Sequence, residues 1–177
     1  FRFELAELEG LAATAPSIVV ANHPSLLDAL FLISRLPNAV CIMKAALLRN
    51  LLFGAAARLG GYVGNGDPVD MALTARRALK AGAHLILFPE GTRTVDFPLG
   101  PCSMCAGLLA KMADVPVQTI VIECTAPYLG KKWPLWRPPE FPLVFRARLG
   151  CCFAPPDDVR AFTAELERYF REQLRAR

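Results

Sequence analysis

The chain has 177 residues, 54% of them hydrophobic and 20% charged, which excludes a disordered chain and predicts a single domain over residues 1–177. The formal charge of +4 suits anionic lipid, phosphorylated substrates or an acyl-carrier protein, and equally a plain solvated surface. The basic residues are scattered rather than interleaved with aromatics along one stripe, so no nucleic acid is expected. Arg35, Lys44, Arg49 and Arg58 interrupt the longest apolar stretches before they reach the ~18 residues of a membrane span. The chain opens on Phe1 rather than Met, so a natural N-terminus ahead of it, with room for a membrane anchor, is expected.

Residues 1–16 read as turn-like, with an initial strand possible. Residues 17–21 form a buried β-branched strand. The run Asn22-His23-Pro24-Ser25-Leu26-Leu27-Asp28 follows and opens a helix over 24–36. Pro24 suits the first helical position, whose N–H has no partner in any case. Asn22 or His23 is then the cap, and Leu26, Leu27, Leu30, Phe31 and Ile33 face inward. A second strand over 39–43 leads to an apolar helix over 46–59, stopped by Gly60-Gly61, and to a short strand at 62–63. Asp67-Pro68-Val69-Asp70 is a helix start, with Asp67 as cap and Pro68 first, and that helix runs to about Lys80 and stops at Gly82.

Residues 84–88 are apolar after His84 and form a central strand, with His84 a satisfied strand-end histidine. A helix over 102–113 precedes a strand over 117–123. Residues 125–142 are proline-rich, lack periodicity and form a long loop. A strand nearer the sheet edge follows over 142–149. The last helix spans 157–177, with Asp157 and Asp158 near its start and Arg171, Arg175 and Arg177 toward its end, as the helix dipole favours. Short strands alternating with helices predict a single-domain α/β fold, a largely parallel central sheet flanked by helices. Sites in such sheets gather at the carboxyl ends of strands.

Two runs sit at such ends. In the first, His23 is followed five residues on by Asp28. Asp28 can accept from one imidazole nitrogen, fix the tautomer and leave the other nitrogen as a general base. Taken alone, the run reads as well as a helix cap followed by a solvated charge. The second is Phe88-Pro89-Glu90-Gly91-Thr92-Arg93-Thr94. Gly91 permits a tight turn near a ligand, and Arg93 offers a planar fork of donors suited to phosphate. Glu90 either pairs with Arg93 or accepts from a substrate hydroxyl.

Together, Asn-His-x-x-x-x-Asp and the later Phe-Pro-Glu-Gly-Thr-Arg resemble the glycerolipid acyltransferase family, typified by 1-acyl-glycerol-3-phosphate acyltransferases. The resemblance runs from about Ile18 to Ile122. It implies that His23 is the general base, that Asp28 orients it, and that an acyl group passes from acyl-CoA or acyl-carrier protein to a lysolipid hydroxyl. It implies no acyl-enzyme, no cofactor beyond the acyl donor, and no metal. Glu90, Gly91, Thr92 and Arg93 match the acceptor-binding motif. Lys44 matches a lysine near the site, for the oxyanion or the phosphate.

The sequence departs from the family pattern at three places. Gly61-Tyr62-Val63-Gly64-Asn65 puts Asn65 where a phosphate-binding arginine is usual. Leu99-Gly100-Pro101-Cys102-Ser103 replaces an aromatic and basic run, and Val115-Pro116-Val117-Gln118-Thr119 lacks a second proline. An acceptor without phosphate, in a specialised lipid or aryl-polyene pathway, is therefore the alternative substrate. A catalytically weak lipid-binding module and a thioester hydrolase are the alternative functions.

The segment 131–137 carries Lys131, Lys132, Trp133, Trp136 and Arg137, a composition suited to a headgroup region. It predicts peripheral membrane contact, and with the resemblance a place at the cytoplasmic face of an inner membrane. The alternative is that both tryptophans pack on the sheet edge. Cys102 and Cys105 have C-x-x-C spacing, and Cys151 and Cys152 are adjacent. Adjacent thiolates bind one metal poorly, so reduced thiols are expected rather than a zinc site.

Overall fold

The computed structural model describes residues 2–43, 63–64, 66–134 and 136–175. In chain order the elements are β1 (Arg2–Glu4), a 3-10 helix (Ala6–Ala13), β2 (Ile18–Ala21), α1 (Asp28–Arg35), β3 (Ala39–Met43) and β4 (Val63–Gly64). Then come α2 (Pro68–Lys80), β5 (His84–Leu87), α3 (Cys105–Ala113), β6 (Val117–Cys124), β7 (Val144–Phe153) and α4 (Val159–Arg175). The expected helix over 46–59, its glycine stop, Tyr62, Lys44 and Asn65 lie outside the described residues.

Among the described residues, one sheet of seven strands has the order β1-β7-β6-β2-β5-β3-β4. Every neighbouring pair is parallel except β6 with β7. The largely parallel sheet expected of the alternating pattern is therefore present, with β7 turned antiparallel and β1 at the edge. β2 lies between β6 and β5, and its four residues are all buried, as a strand covered on both faces requires.

Alternation along the strands divides the core. Ile18, Val20, Leu85, Leu87, Val117 and Val121 meet Leu79 of α2, Leu109 of α3, and Phe162, Leu166 and Phe170 of α4. Val19, Ala21, Ile86, Ile120 and Ile122 meet Leu8 and Leu11 of the 3-10 helix and Leu32 and Leu36 from α1 and its end. Each Val, Leu, Ile or Phe among them, fully buried, contributes about 1.5–3 kcal/mol by transfer from water.

The helix after β2 starts four residues later than its proline suggests. Pro24 to Leu27 form a turn, because the Leu26 N–H donates to Leu129 O at 3.1 Å and the Leu27 N–H to Ser25 Oγ at 3.2 Å. The inward stripe is also different. Asp28, Leu32 and Leu36 stand at intervals of four and are all fully buried, whereas Leu30 is 57% exposed. Asp28 thus lies on the core-facing stripe of α1 and is no solvated charge.

α2 begins as read: Asp67 accepts from the Asp70 N–H at 2.8 Å and Pro68 opens the helix. α4 begins at Val159, with Asp158 Oδ1 accepting from the Arg160 and Ala161 N–H groups at 2.8 and 3.0 Å. β7 is longer than expected and extends to Phe153, paired to Val117 of β6. His84 is a satisfied strand-end histidine, its Nδ1 3.0 Å from Ser17 Oγ.

Candidate active site

β2 and β5 run parallel and in register, Val20 opposite Leu87, so their carboxyl ends deliver Asn22-His23 and Phe88–Arg93 side by side. Asn22 fixes the departure of the chain. Its Oδ1 accepts from the Ile122 N–H at 2.7 Å and its Nδ2 donates to Ile122 O at 2.8 Å. This buried amide imitates a backbone pairing to β6 rather than capping a helix, as the sequence suggests. The residue after it is thereby held rigidly.

His23 leaves that point with its ring only 15% exposed. Its Nδ1 lies 2.9 Å from Asp28 Oδ2. The same Oδ2 accepts from the Ser25 N–H at 2.8 Å, while Oδ1 has no partner among the described residues. Burial pushes the Asp28 carboxyl above its ordinary range, against the opposing pull of the His23 hydrogen bond and charge and of the Ser25 amide. The imidazole stacks on Phe88, ring centroids 3.9 Å apart and planes 16° from parallel. With Nδ1 engaged and the ring clamped, Nε2 is the nitrogen without a protein partner among the described residues. This is the arrangement a general base needs: one nitrogen oriented by a carboxylate, the other open.

The Phe88–Thr94 segment turns at Gly91, whose φ of +62° suits a residue without Cβ, and the Gly91 N–H donates back to Phe88 O at 3.0 Å. Of the two readings of Glu90, the pair with Arg93 is not present among the described residues, because this turn sends the two side chains to different segments. Glu90 Oε1 accepts from the Thr94 hydroxyl at 2.6 Å and from the His23 N–H at 3.4 Å, and Oε2 accepts from the Gly100 N–H at 2.9 Å. The Thr94 N–H in turn donates to His23 O at 2.7 Å. Glu90 therefore ties three backbone segments together beneath the imidazole.

Arg93 points the other way. Its Nη1 donates to Leu129 O at 2.9 Å and Gly130 O at 3.2 Å, fastening the 125–142 loop to the turn. Thr92 Oγ1 accepts from Lys131 Nζ at 3.1 Å. So His23, Asp28, Glu90, Gly91, Thr92 and Arg93 share one end of the sheet, as their motifs suggest. Lys44 and Asn65 fall outside the described residues. Sequence reasoning missed the clamping role of Asn22, the stacking of Phe88, Thr94 under Glu90, and Lys131 beside Thr92. Only Phe88, an aromatic one residue beyond a strand end, carried a local signal.

In the proline-rich loop, Trp133 is held rather than free. Its Nε1 donates to Arg137 O at 2.9 Å, the Arg137 guanidinium lies 4.6 Å from its ring centroid, and Tyr128 meets it edge-on. Trp136 is 87% exposed and Phe141 68%. No helix among the described residues is long and apolar enough to cross a membrane. All six cysteines are free thiols, and burial pushes those of Cys41 and Cys102 up to about 12. Among the described residues, no three of His, Cys, Asp or Glu are grouped to hold a metal ion.

A family model described as acyltransferase matches residues 2–123. Among curated proteins, the chain is 33% identical over 138 residues to a mouse protein named 1-acyl-sn-glycerol-3-phosphate acyltransferase alpha, covering 74% of this chain and 48% of that one. It is 32% identical over 131 residues to the chloroplastic 1-acyl-sn-glycerol-3-phosphate acyltransferase BAT2 of Brassica napus, covering 71% of this chain and 38% of that one. The chain thus spans half or less of the length of these relatives. Among solved structures, the 1-acyl-sn-glycerophosphate acyltransferase PlsC of Thermotoga maritima has the same fold, with a TM-score of 0.67 at 23% identity, over 98% of this chain and 80% of that one.

Proposed function

The chain belongs to the acyltransferase family, and from that premise we propose that it transfers a fatty acyl group from a thioester donor to the hydroxyl of a lysolipid, with His23 as general base. The observation that carries the reading is the His23–Asp28 pair. Nδ1 is held at 2.9 Å by a buried carboxylate, and Nε2 is left to meet a substrate beside the Glu90–Arg93 turn.

Nε2 takes the proton of the acceptor hydroxyl as its oxygen attacks the thioester carbonyl. A C–O bond forms, and the carbonyl π electrons pass to oxygen as an oxyanion. The imidazolium is stabilised by Asp28 and by the face of Phe88. Collapse of the intermediate restores the carbonyl and breaks the C–S bond, and the leaving thiolate recovers the proton from Nε2. No covalent acyl-enzyme intervenes. General-base assistance of this kind contributes on the order of 10²–10⁴-fold.

The acyl donor is acyl-CoA or acyl-carrier protein. The favoured acceptor is 1-acyl-glycerol-3-phosphate, as the names of the relatives suggest. Trp136, Phe141 and Lys132 on the outer side of the 125–142 loop suit peripheral contact with a bilayer, where such an acceptor resides. The cytoplasmic face of an inner membrane, where both donors are available, is the corresponding location.

The test is release of free thiol from acyl-CoA with and without lysophosphatidate. Release that depends on the acceptor and is lost in His23→Ala, with unfolding unchanged, is the expected result. Release independent of any acceptor makes the protein a thioester hydrolase and overturns the reading. Undiminished turnover in His23→Ala overturns the role of the histidine.

A further inference from the structure

The segment 129–131 is wrapped around the turn at 92–93. Arg93 Nη1 binds the carbonyls of Leu129 and Gly130, and Leu129 O also accepts from the Leu26 N–H. Gly130 is pressed against the chain just after the imidazole. A Cβ there would come within 3.2 Å of Pro24 O and 2.8 Å of Pro127 O. Residue 131 departs from this contact, and its ammonium turns back to the Thr92 hydroxyl at 3.1 Å.

An exposed lysine ordinarily keeps its rotamer freedom and stays in water. Here its partner is a neutral hydroxyl, and among the described residues no carboxylate lies within ion-pair distance. The ammonium keeps two further donors. In the same contact, Arg93 spends Nη1 on the loop, and its Nε and Nη2 have no partner among the described residues. The Thr92 hydroxyl, the Lys131 ammonium and the open edge of the Arg93 guanidinium thus belong to one contact, in which residues 92–93 meet 129–131 and Gly130 abuts Pro24, the residue after His23.

We propose that Lys131 is a specificity-determining residue. With Thr92 and the open edge of Arg93 it seats the phosphate monoester of the acyl acceptor and sets the preference for phosphorylated over unphosphorylated acceptors. The inference rests on the acyl-transfer reading above. An acceptor hydroxyl at Nε2 has its own phosphate only a few bonds away on the glycerol, which matches a seat at the neighbouring turn. The phosphates of CoA lie beyond the long pantetheine arm and do not match it. Two cations favour a dianionic monoester over a singly charged diester, and lysine acts there as a point charge while arginine supplies the fork.

The experiment compares wild type, Lys131→Ala and Lys131→Arg in nonionic micelles, with lysophosphatidate and monoacylglycerol as acceptors. Lys131→Ala should raise KM for lysophosphatidate by about ten- to hundredfold, the worth of one charge-assisted hydrogen bond. Its KM for monoacylglycerol, its KM for acyl-CoA and its kcat should stay put, and Lys131→Arg should restore most of the loss. An unchanged KM for lysophosphatidate, or a rise confined to acyl-CoA, overturns the proposal. Calorimetric titration with short-chain lysophosphatidate reads the same site without turnover. If wild type transfers to no acceptor, the acyl-transfer reading falls, and the titration still decides Lys131: a Kd unchanged by Lys131→Ala overturns it, a weakened one supports it.

Discussion

Replacing Glu90 with glutamine should damage the scaffold under His23 more than it changes acceptor affinity. The carboxylate accepts on both oxygens: Oε1 from Thr94 and His23, Oε2 from Gly100. Glutamine keeps one acceptor and turns the other into a donor. With its oxygen toward the Gly100 N–H, its amide faces the Thr94 hydroxyl, which rotates to accept. The long bond from the His23 N–H is then lost. The opposite orientation sets two N–H groups against each other at Gly100, so the first is favoured. Charge-assisted bonds become neutral ones and one donor goes unpaired, which together costs about 1–3 kcal/mol. Glu90→Ala leaves all three donors unpaired and adds a cavity beside Gly100, whose Cβ position is 3.0 Å from Oε2. That variant should lose about 3–5 kcal/mol. Urea unfolding measures both losses. Steady-state kinetics should show kcat falling in Glu90→Gln while acceptor KM moves less than about threefold, under 1 kcal/mol of binding. A Glu90→Gln variant of undiminished stability whose acceptor KM rises tenfold or more (about 1.4 kcal/mol) would refute the scaffold role and make Glu90 a substrate ligand.

Asp28→Asn should lower acyl transfer on the order of 10²–10⁴-fold, because an amide neither stabilises the imidazolium nor fixes its tautomer. It should also change how stability depends on pH. Burial holds the Asp28 carboxyl above its ordinary 3.8, so the folded chain binds that proton more tightly than the unfolded chain does. The stability this contributes in acid is lost as pH rises through the folded value. Compared in a His23→Gln background, the Asp28→Asn variant should gain on its parent, which keeps Asp28, as pH rises from about 4, by at most about 1.4 kcal/mol per pH unit. A gap in unfolding free energy that stays flat or closes with rising pH contradicts this. Phe88→Leu should remove the stacked ring from His23 and cut kcat about tenfold at unchanged KM, with Phe88→Tyr restoring it. Equal losses in the two variants would mean that stacking is immaterial. Trp136→Ala, at a side chain 87% exposed, should leave unfolding unaffected and weaken cosedimentation with anionic vesicles. Undiminished binding would remove the loop from the membrane.

The parallel sheet and the contact between His23 and Asp28 were legible because their signals are local. β-branched runs mark strands, and His23 and Asp28 are five residues apart on one turn. The start of α1 was not legible, because Asn22 and His23 both read as the cap of a helix opened by Pro24. The choice among them is made by Ile122 and Leu129, each about 100 residues away (the Asn22 bond to Ile122 spans 100). The same limit explains Glu90 and Arg93. Their spacing invites an ion pair, yet the left-handed turn at Gly91 parts them, and their partners lie 10 and 36 residues further on. Lys131 is the sharpest case: in the sequence it belongs to a basic, tryptophan-bearing run, and only the fold returns its ammonium to Thr92, 39 residues earlier. The His23–Asp28 contact closes over five residues, whereas the contacts of Arg93 and Lys131 join loops distant in the chain. Acceptor preference should accordingly respond to changes in the 125–142 loop that leave the distance between His23 Nδ1 and Asp28 Oδ2 untouched.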